Sequence, residues 1–444
     1  MSKRIHIIGI GGTGMNGIAQ LAAHAGCQVS GSDRATGLAS NQPDCLVGQA
    51  SLYPESLCYS NNQGNTRSRI REACPTNPVS DIFQILENMG ITLFPQDGSG
   101  ITAQTDAVVY STAIEPDNPD IIRANELNIP LLHRADMLAK LCEGKEVIAV
   151  AGTAGKSTVT GLLGWIFDRL GKDPAVYCGA PVLNWKTAQS AGNVRYGTGP
   201  WIIEADESDR SFLKFHPRHA IITNIAEDHF SLEELHRLFA QFEAQVSGTV
   251  VKKPEPFDVK LSILGKHNVE NAANALTLCK ALGLDLQKCI EAAQSFRGIE
   301  RRLERHSPNV IDDFAHSPVK IAAALEAVAG EFPAFAAFWR PHGYTPLFQL
   351  ADGLVEIFSS HWKKRPHDRL FILPVYFAGG TVSIKLTAEQ FVERLNAAGV
   401  PAEFVENYPE LEKKLIEAGL PVLGMGARDP ELPRFAARIA AVIC

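Results

Sequence analysis

The chain has 444 residues, 45% apolar and 20% charged, with 42 Lys+Arg against 49 Asp+Glu for a formal charge of −7. So ordinary a composition excludes a disordered, collagen-like or disulfide-stapled chain, and the mild acidic balance, with no basic block, excludes a nucleic-acid partner. Nine scattered cysteines without a CxxC pair read as reduced thiols of a cytoplasmic protein, and no apolar run nears the ~20 residues that cross a membrane.

MSKRIHIIGIGG opens a strand rather than a signal peptide. From there, short β-branched runs alternate with helical patterns to the other end, which predicts βαβ units around parallel sheets. Residues 5–8 read as a buried strand, followed by a glycine turn, a helix over 15–25 and a strand over 28–31. Periodicity then fails from about 34 to 80, a stretch rich in Asn, Gln, Ser, Gly and Cys, as an insertion would read. Order resumes with a helix at 82–89, a strand at 107–110 and helices at 119–125 and 134–141. CEGKE follows as a hinge. A second unit has strands at 147–149, 201–204 and 220–224, with helices at 156–170, 232–242 and 268–282. A third unit begins near Phe296, with a strand at 310–312, a helix at 318–329 and a strand at 335–339. Three more strand–helix alternations end in a helix at 431–442. The expected domains are 1–143, carrying the 34–80 insertion, then 144–296 and 297–444.

Two glycine loops carry the chemistry. Gly9-Ile10-Gly11-Gly12-Thr13-Gly14 fits GxGxxG between a strand and a helix, where free N–H groups and the helix dipole favour a diphosphate. Asp33, at the end of the next strand, is placed to hold a ribose hydroxyl. The motif alone does not separate NAD from another nucleotide or nucleotide sugar. Ala151-Gly152-Thr153-Ala154-Gly155-Lys156-Ser157-Thr158 has the setting of a P-loop, although Val150 stands where the first glycine usually does. Backbone N–H groups would cradle phosphates, with Lys156 on the terminal oxygens and the Ser157 hydroxyl on Mg²⁺.

Downstream acids suit a hard cation. Glu204, in EADESD, ends a strand beside the P-loop, as a Mg²⁺ ligand should. His229 ends the next strand in TNIAEDH. Asn268 and Asn271, one turn apart in GKHNVEN, either read a base edge or cap their helix.

In this order, AGTAGKST, EADESDRSF, TNIAEDHF, GKHNVENA, FRGIERRLE and DDFAHSP resemble the Mur ligases, the ATP-dependent amide-forming enzymes of bacterial cell-wall synthesis. HIIGIGGTGMNGIA, GSD, VVYSTAI, DNP and HRADML extend the likeness over nearly the whole chain. The resemblance implies three α/β domains: a Rossmann-like N-terminal sheet, a central P-loop ATPase-like domain and a Rossmann-like C-terminal domain. It implies ATP and Mg²⁺, with a UDP-sugar, UDP-N-acetylmuramate, and an amino acid, L-alanine by default, as small-molecule partners. Gly152, Thr153, Gly155, Lys156, Ser157, Thr158, Asn268, Asn271, Arg302 and Asp313 would bind ATP. Ser157, Glu204 and His229 would hold metal, and Lys156, Glu204, His229 and Arg302 would be catalytic. Gly11, Gly12, Thr13, Gly14, Met15, Asp33, Ser111 and Thr112 would face the UDP-sugar, and His316 and His342 the acceptor.

Three departures from the family pattern stand out. Ala154 replaces a His or Asn, the stretch from His229 to Gly265 is short, and Gly343 and Pro346 occupy the places of two arginines near the incoming amino acid. They motivate two alternatives: a different amino acid or peptide as acceptor, as in the tripeptide-recycling branch, or a weakened nucleotide-binding homologue. An NAD-dependent oxidoreductase would leave the P-loop, Glu204 and Asp313 without a role.

Overall fold

The computed structural model describes residues 3–36, 82–226, 230–377 and 384–443. Most of the 34–80 stretch, with Cys45, Cys58 and Cys74, lies outside the described residues, as does His229. Three sheets follow one another along the chain.

The first sheet is built from β1 (Arg4–Ile8), β2 (Gln28–Asp33), β3 (Thr92–Pro95), β4 (Ala107–Tyr110) and β5 (Leu131–His133). Its order is β3-β2-β1-β4-β5, and every pairing is parallel. Helices α1 (Thr13–His24), α2 (Ile82–Asn88), α3 (Pro119–Glu126) and α4 (Arg134–Cys142) accompany it. The chain reverses direction across the sheet between β1 and β4, the crevice where open α/β sheets bind ligands.

The second sheet contains β6 (Val147–Ala151), β7 (Ala175–Tyr177), β8 (Val194–Arg195), β9 (Trp201–Glu204), β10 (His219–Ile222) and β11 (Val250–Val251). Its order is β11-β10-β6-β9-β7-β8, with only β8 antiparallel to its neighbour. Central β6 reads VIAVA and is buried throughout, the continuous apolar run that a strand covered on both faces requires. Helices α5 (Lys156–Arg169), α6 (Leu232–Ala244), α7 (Lys266–Ala281) and α8 (Leu286–Gln294) cover it.

In the third sheet are β12 (Glu304–Ser307), β13 (Val310–Asp313), β14 (Ala336–Arg340), β15 (Arg369–Ile372), β16 (Ala402–Phe404) and β17 (Val422–Gly426). Its order is β12-β13-β17-β14-β15-β16, parallel except for the β12–β13 pair. Its helices are α9 (Pro318–Ala329), α10 (Tyr344–Lys364), α11 (Ala388–Ala397), α12 (Tyr408–Ala418) and α13 (Glu431–Ile439).

The long elements match the sequence expectations within a few residues. The strands the sequence pattern misses, β3, β5, β7, β8, β11 and β12, have two to four residues each, too few for a periodicity to register. The strand expected over 220–224 ends at Ile222, because Thr223 and Asn224 turn away to brace the P-loop.

Packing ties the first two sheets together. One continuous core runs from Ile5, Ile7 and Ile18 through Met137 and Leu138 of α4 to Phe212, Phe215 and Phe239. Burying one such phenylalanine contributes roughly 1.5–3 kcal/mol, so CEGKE is a turn between joined units rather than a free swivel. The third sheet has separate clusters on its two faces, around Trp339 and Phe358 and around Phe338 and Phe435. Its connection to the second sheet passes through Arg301 and Leu303, non-glycine residues with φ of 55° and 47°. A clamp holds that turn: the Arg301 guanidinium donates to both Asp312 oxygens at 3.0 and 3.3 Å and to the Gly426 carbonyl at 2.6 Å.

Among the described residues no helix is long and apolar enough to cross a membrane.

Candidate active site

The P-loop leaves β6 and enters α5 at Lys156. Gly155 has φ 84°, and a side chain there would lie 2.4 Å from Asn271 Oδ1, so only glycine lets the loop settle on α7. The segment after β10 holds the loop from the other side. Asn224 Oδ1 accepts the Ala154 N–H at 3.0 Å, and the Thr223 and Asn224 side chains donate to the Ala154 carbonyl at 2.6 and 3.1 Å. Thr153 N–H donates to the Asn224 carbonyl at 3.1 Å. Thr153 to Thr158, from the loop into the start of α5, line a cleft of about 530 Å³, to which Gly152 does not contribute.

Charges in the cleft are arranged as a chain. Lys156 Nζ donates to Glu207 Oε2 at 2.7 Å and to the Gly152 carbonyl at 2.8 Å, with Asp206 Oδ1 at 3.9 Å. Burial pushes the Glu207 carboxyl above its ordinary range, against the pull of Lys156. Burial also raises Asp206, but Lys156, the Ser208 N–H and Arg134 more than offset it, leaving that acid below its ordinary range. Ser157 Oγ donates to Glu204 Oε1 at 3.0 Å, while Glu204 Oε2 accepts the Gly179 N–H at 2.7 Å. A hydroxyl and a carboxylate side by side at the end of a strand form the hard-oxygen donor set that Mg²⁺ prefers.

The opposite wall comes from the third sheet. Arg302, Leu303 and Asp313 line the same cleft as Lys156, Ser157 and Glu204. Arg302 is exposed and lies over the Phe314 ring at 5.8 Å. Asp313, at the end of β13, is buried and accepts the Leu303 N–H at 2.8 Å. That burial pushes its carboxyl up to about 6. Asn268 and Asn271 form part of the lining, and their amides are also engaged locally. Asn271 Nδ2 donates to Asn268 Oδ1 at 3.0 Å, and Asn268 Nδ2 to the Leu264 carbonyl at 2.6 Å. The capping reading does not hold, because the helix is capped by Gly265 without a side-chain bond and the two amides bond to each other and to the Leu264 carbonyl. Thr158 completes the lining.

Elsewhere, the first glycine loop sits at the end of β1. Gly9, with φ 69°, makes the tight turn, and Gly12 donates its N–H to the Gly9 carbonyl at 3.1 Å. Asp33 Oδ2 accepts the Gly11 N–H at 2.9 Å, so this acid braces the loop itself. Ser111 and Thr112 follow β4, the strand beside β1. Met15 is corrected by the structure: only 5% exposed, its side chain belongs to the core rather than to a ligand surface. His316 and His342 also need revision as lining of an open pocket. Their rings meet edge to face at 5.0 Å, and the space they share with Trp339, Leu347 and Leu354 is too small to admit a water molecule.

Long-range contacts supply the residues that sequence reasoning missed. Tyr177 donates its hydroxyl to the Gly14 carbonyl at 3.1 Å, and Asn193 Nδ2 to the Thr13 carbonyl at 2.9 Å. Arg134, at the start of α4, pairs with Asp206 at 3.2 Å and Asp209 at 3.7 Å. With Tyr177, Glu204 and Asp206 it lines a small recess beside Gly14. Glu204 and Asp206 thus face both the recess and the P-loop cleft. EADESD in the sequence signals the acids; nothing local signals a role for Arg134, Tyr177 or Asn193.

Three α/β sheets in series, with a P-loop cleft walled by the second and third, define an α/β protein of the nucleotide-binding class. The profile of the Mur ligase family, catalytic domain, matches residues 4–71 and 79–146. The UDP-N-acetylmuramate–L-alanine ligase of Sulfurihydrogenibium sp. (strain YO3AOP1) is 28% identical over 484 residues, covering 96% of this chain and 95% of that protein. The crystal structure of UDP-N-acetylmuramate–alanine ligase from Thermotoga maritima superposes with a TM-score of 0.72 at 25% identity, covering 99% of this chain and 98% of that one. The murein peptide ligase of Psychrobacter arcticus 273-4 shares the fold, with a TM-score of 0.58 at 20% identity, covering 100% and 99%. Over nearly its whole length the chain is similar to ligases of the Mur type.

Proposed function

We propose that this chain is an ATP-dependent amide ligase that joins an amino acid, L-alanine by default, to the lactyl carboxylate of UDP-N-acetylmuramate in peptidoglycan precursor synthesis. One observation carries the reading: Lys156, Ser157 and Glu204 share a single cleft with Arg302 and Asp313 of the third sheet. The full-length relatives whose names specify that acid and that amino acid point the same way. A cytoplasmic location fits this reading, since that compartment supplies ATP. Residues 1–143 would hold the UDP-sugar and 144–296 the ATP, while 297–444 would close over ATP and the acceptor.

A carboxylate is a poor acylating agent, because oxide is a poor leaving group. Attack of the lactyl carboxylate oxygen on the γ-phosphorus of ATP expels ADP and leaves an acyl phosphate. Catalysis of such a transfer is positioning and charge neutralisation, which Lys156 and Arg302 supply from opposite walls. Lys156 reaches the phosphates by exchanging its Glu207 partner for phosphate oxygens. Mg²⁺, when bound by Ser157 and Glu204, with His229 as a further ligand, supplies Lewis-acid charge neutralisation. Asp313 accepts a ribose hydroxyl, and Asn268 and Asn271 border the adenine. The neutral amine then attacks the acyl carbon, and the tetrahedral intermediate expels phosphate as the amide forms. Arg134, between the first glycine loop and Asp206, stands where the two substrates approach each other.

ADP release that requires UDP-N-acetylmuramate, Mg²⁺ and an amino acid together, with the amide identified by mass spectrometry, tests this reading. The assay is run over an amino-acid and peptide panel, since Gly343 and Pro346 make a different acceptor the second reading. Absence of ADP release across the whole panel would sink both.

A further inference from the structure

Strands β13, β17 and β14 are parallel neighbours, with Asp313 opposite Met425 and Arg340 opposite Gly426. The loops that leave them emerge side by side, at the carboxyl edge where α/β sheets take their ligands. The first loop carries His316, the second Arg428 and the third His342. Burial, with the nearby cations Arg428, Lys320 and Arg302, holds both imidazoles below their ordinary range, His342 at about 4. At neutral pH the two rings are therefore uncharged, and the positive charge of this edge resides on the cations around them.

Most arginines here are already engaged. Arg301 is held by Asp312 and the Gly426 carbonyl. Arg340 donates to Asp429 at 2.6 Å and to the Pro374 carbonyl at 3.2 Å. Arg302 faces the nucleotide cleft. Arg302 and Arg428 are both exposed and, among the described residues, without an ion pair, but only Arg302 lines that cleft. The φ of Arg428 is 66°, a left-handed conformation that strains a side-chain-bearing residue and not glycine. The turn thus carries an arginine where glycine would be the more stable choice, as functional sites do. An α-amino acid arriving at this edge brings a carboxylate, and neither Gly343 nor Pro346 can meet it.

We propose that Arg428 binds the carboxylate of the incoming amino acid, on the outer side of the His316–His342 pair, in place of cations absent at 343 and 346. The assignment rests on the ligase reading above. Guanidinium is suited to the task because it can grip both carboxylate oxygens at once.

The test compares wild type, Arg428→Gly and Arg428→Lys in ADP release with ATP, Mg²⁺, UDP-N-acetylmuramate and the amino acid the wild type prefers. Arg428→Gly is expected to raise the amino-acid KM roughly 10- to 100-fold, with Arg428→Lys falling in between. The KM values for ATP and the UDP-sugar should stay within about twofold. Thermal stability of Arg428→Gly should equal or exceed wild type, because the left-handed turn is relieved. The wild type should also favour the amino acid over its carboxamide, and the glycine variant should lose that preference. An unchanged amino-acid KM in Arg428→Gly, or a loss shared equally by all three substrates, overturns the assignment. A wild type that turns over no amino acid overturns instead the ligase reading on which it stands.

Discussion

The loop after β1 and the loop after β6 share a strand–glycine turn–helix plan, yet they are held in different ways. In the first, an acid of the same sheet, Asp33, accepts a loop amide, while Tyr177 and Asn193 of the second sheet fasten Gly14 and Thr13 from outside. In the second, the bracing groups Thr223 and Asn224 come from the segment that follows the adjacent strand β10, and the loop's own lysine is balanced by buried Glu207. The first loop is thus a docking surface whose shape depends on a neighbouring unit. The second is a charged device whose parts are local. Substitutions at the second should therefore strike turnover, and those at the first should strike assembly.

The largest effect should follow Glu204→Gln, which keeps the shape and removes the charge beside Ser157. We expect kcat to fall on the order of 10³-fold with the UDP-sugar KM little changed, by steady-state ADP release. A comparable change in the UDP-sugar KM would break the division between the loops.

Next comes the wall facing the P-loop. Burial raises Asp313 to about 6 from an ordinary 3.8. The folded state therefore holds this proton more tightly than the unfolded chain does. Its stabilising contribution is complete below about pH 4 and is lost as pH rises through 6, by about 3 kcal/mol in all. Asp313→Asn, neutral throughout, should unfold at a higher temperature than wild type at pH 7.5, the gap closing at pH 4. A gap that persists at pH 4 would show that desolvation of the ionised acid is not its source.

The smallest effect belongs to Tyr177→Phe. Loss of its bond to the Gly14 carbonyl should cost about 1 kcal/mol of stability, read as a modest fall in thermal midpoint. Any change in the UDP-sugar KM should stay below about threefold, and that for ATP should not move.

What the sequence makes legible follows the same division. Lys156, Ser157 and Glu204 could be read because strand, loop and helix are contiguous there, and an acid at a strand's carboxyl end has few other places to point. The long helices announce themselves through apolar periodicity; β8 and β11, with two residues each, cannot. Asp33 was legible as an acid at the loop but not as the acceptor for Gly11. Arg134 is visible only as part of the HRADML motif, with no role attached, and Tyr177 and Asn193 not at all, since the partners of the three lie 72, 163 and 180 residues away in sequence. Met15 lies in the glycine motif, yet α1 buries its side chain in the first turn, a burial that the motif does not signal.

The clamped turn between the second and third sheets bears on how this protein could be rebuilt. The left-handed Arg301 is gripped through its guanidinium by Asp312 and the Gly426 carbonyl, and the left-handed Leu303 through its N–H by Asp313; the two partners of Arg301 belong to β13 and β17. The joint is thus written in three separate stretches of sequence. A chimera that exchanged its final third with a relative would inherit one side of the seam without the other unless all three stretches travelled together. The natural splice point for domain grafting therefore lies upstream of Arg301, in the segment after α8.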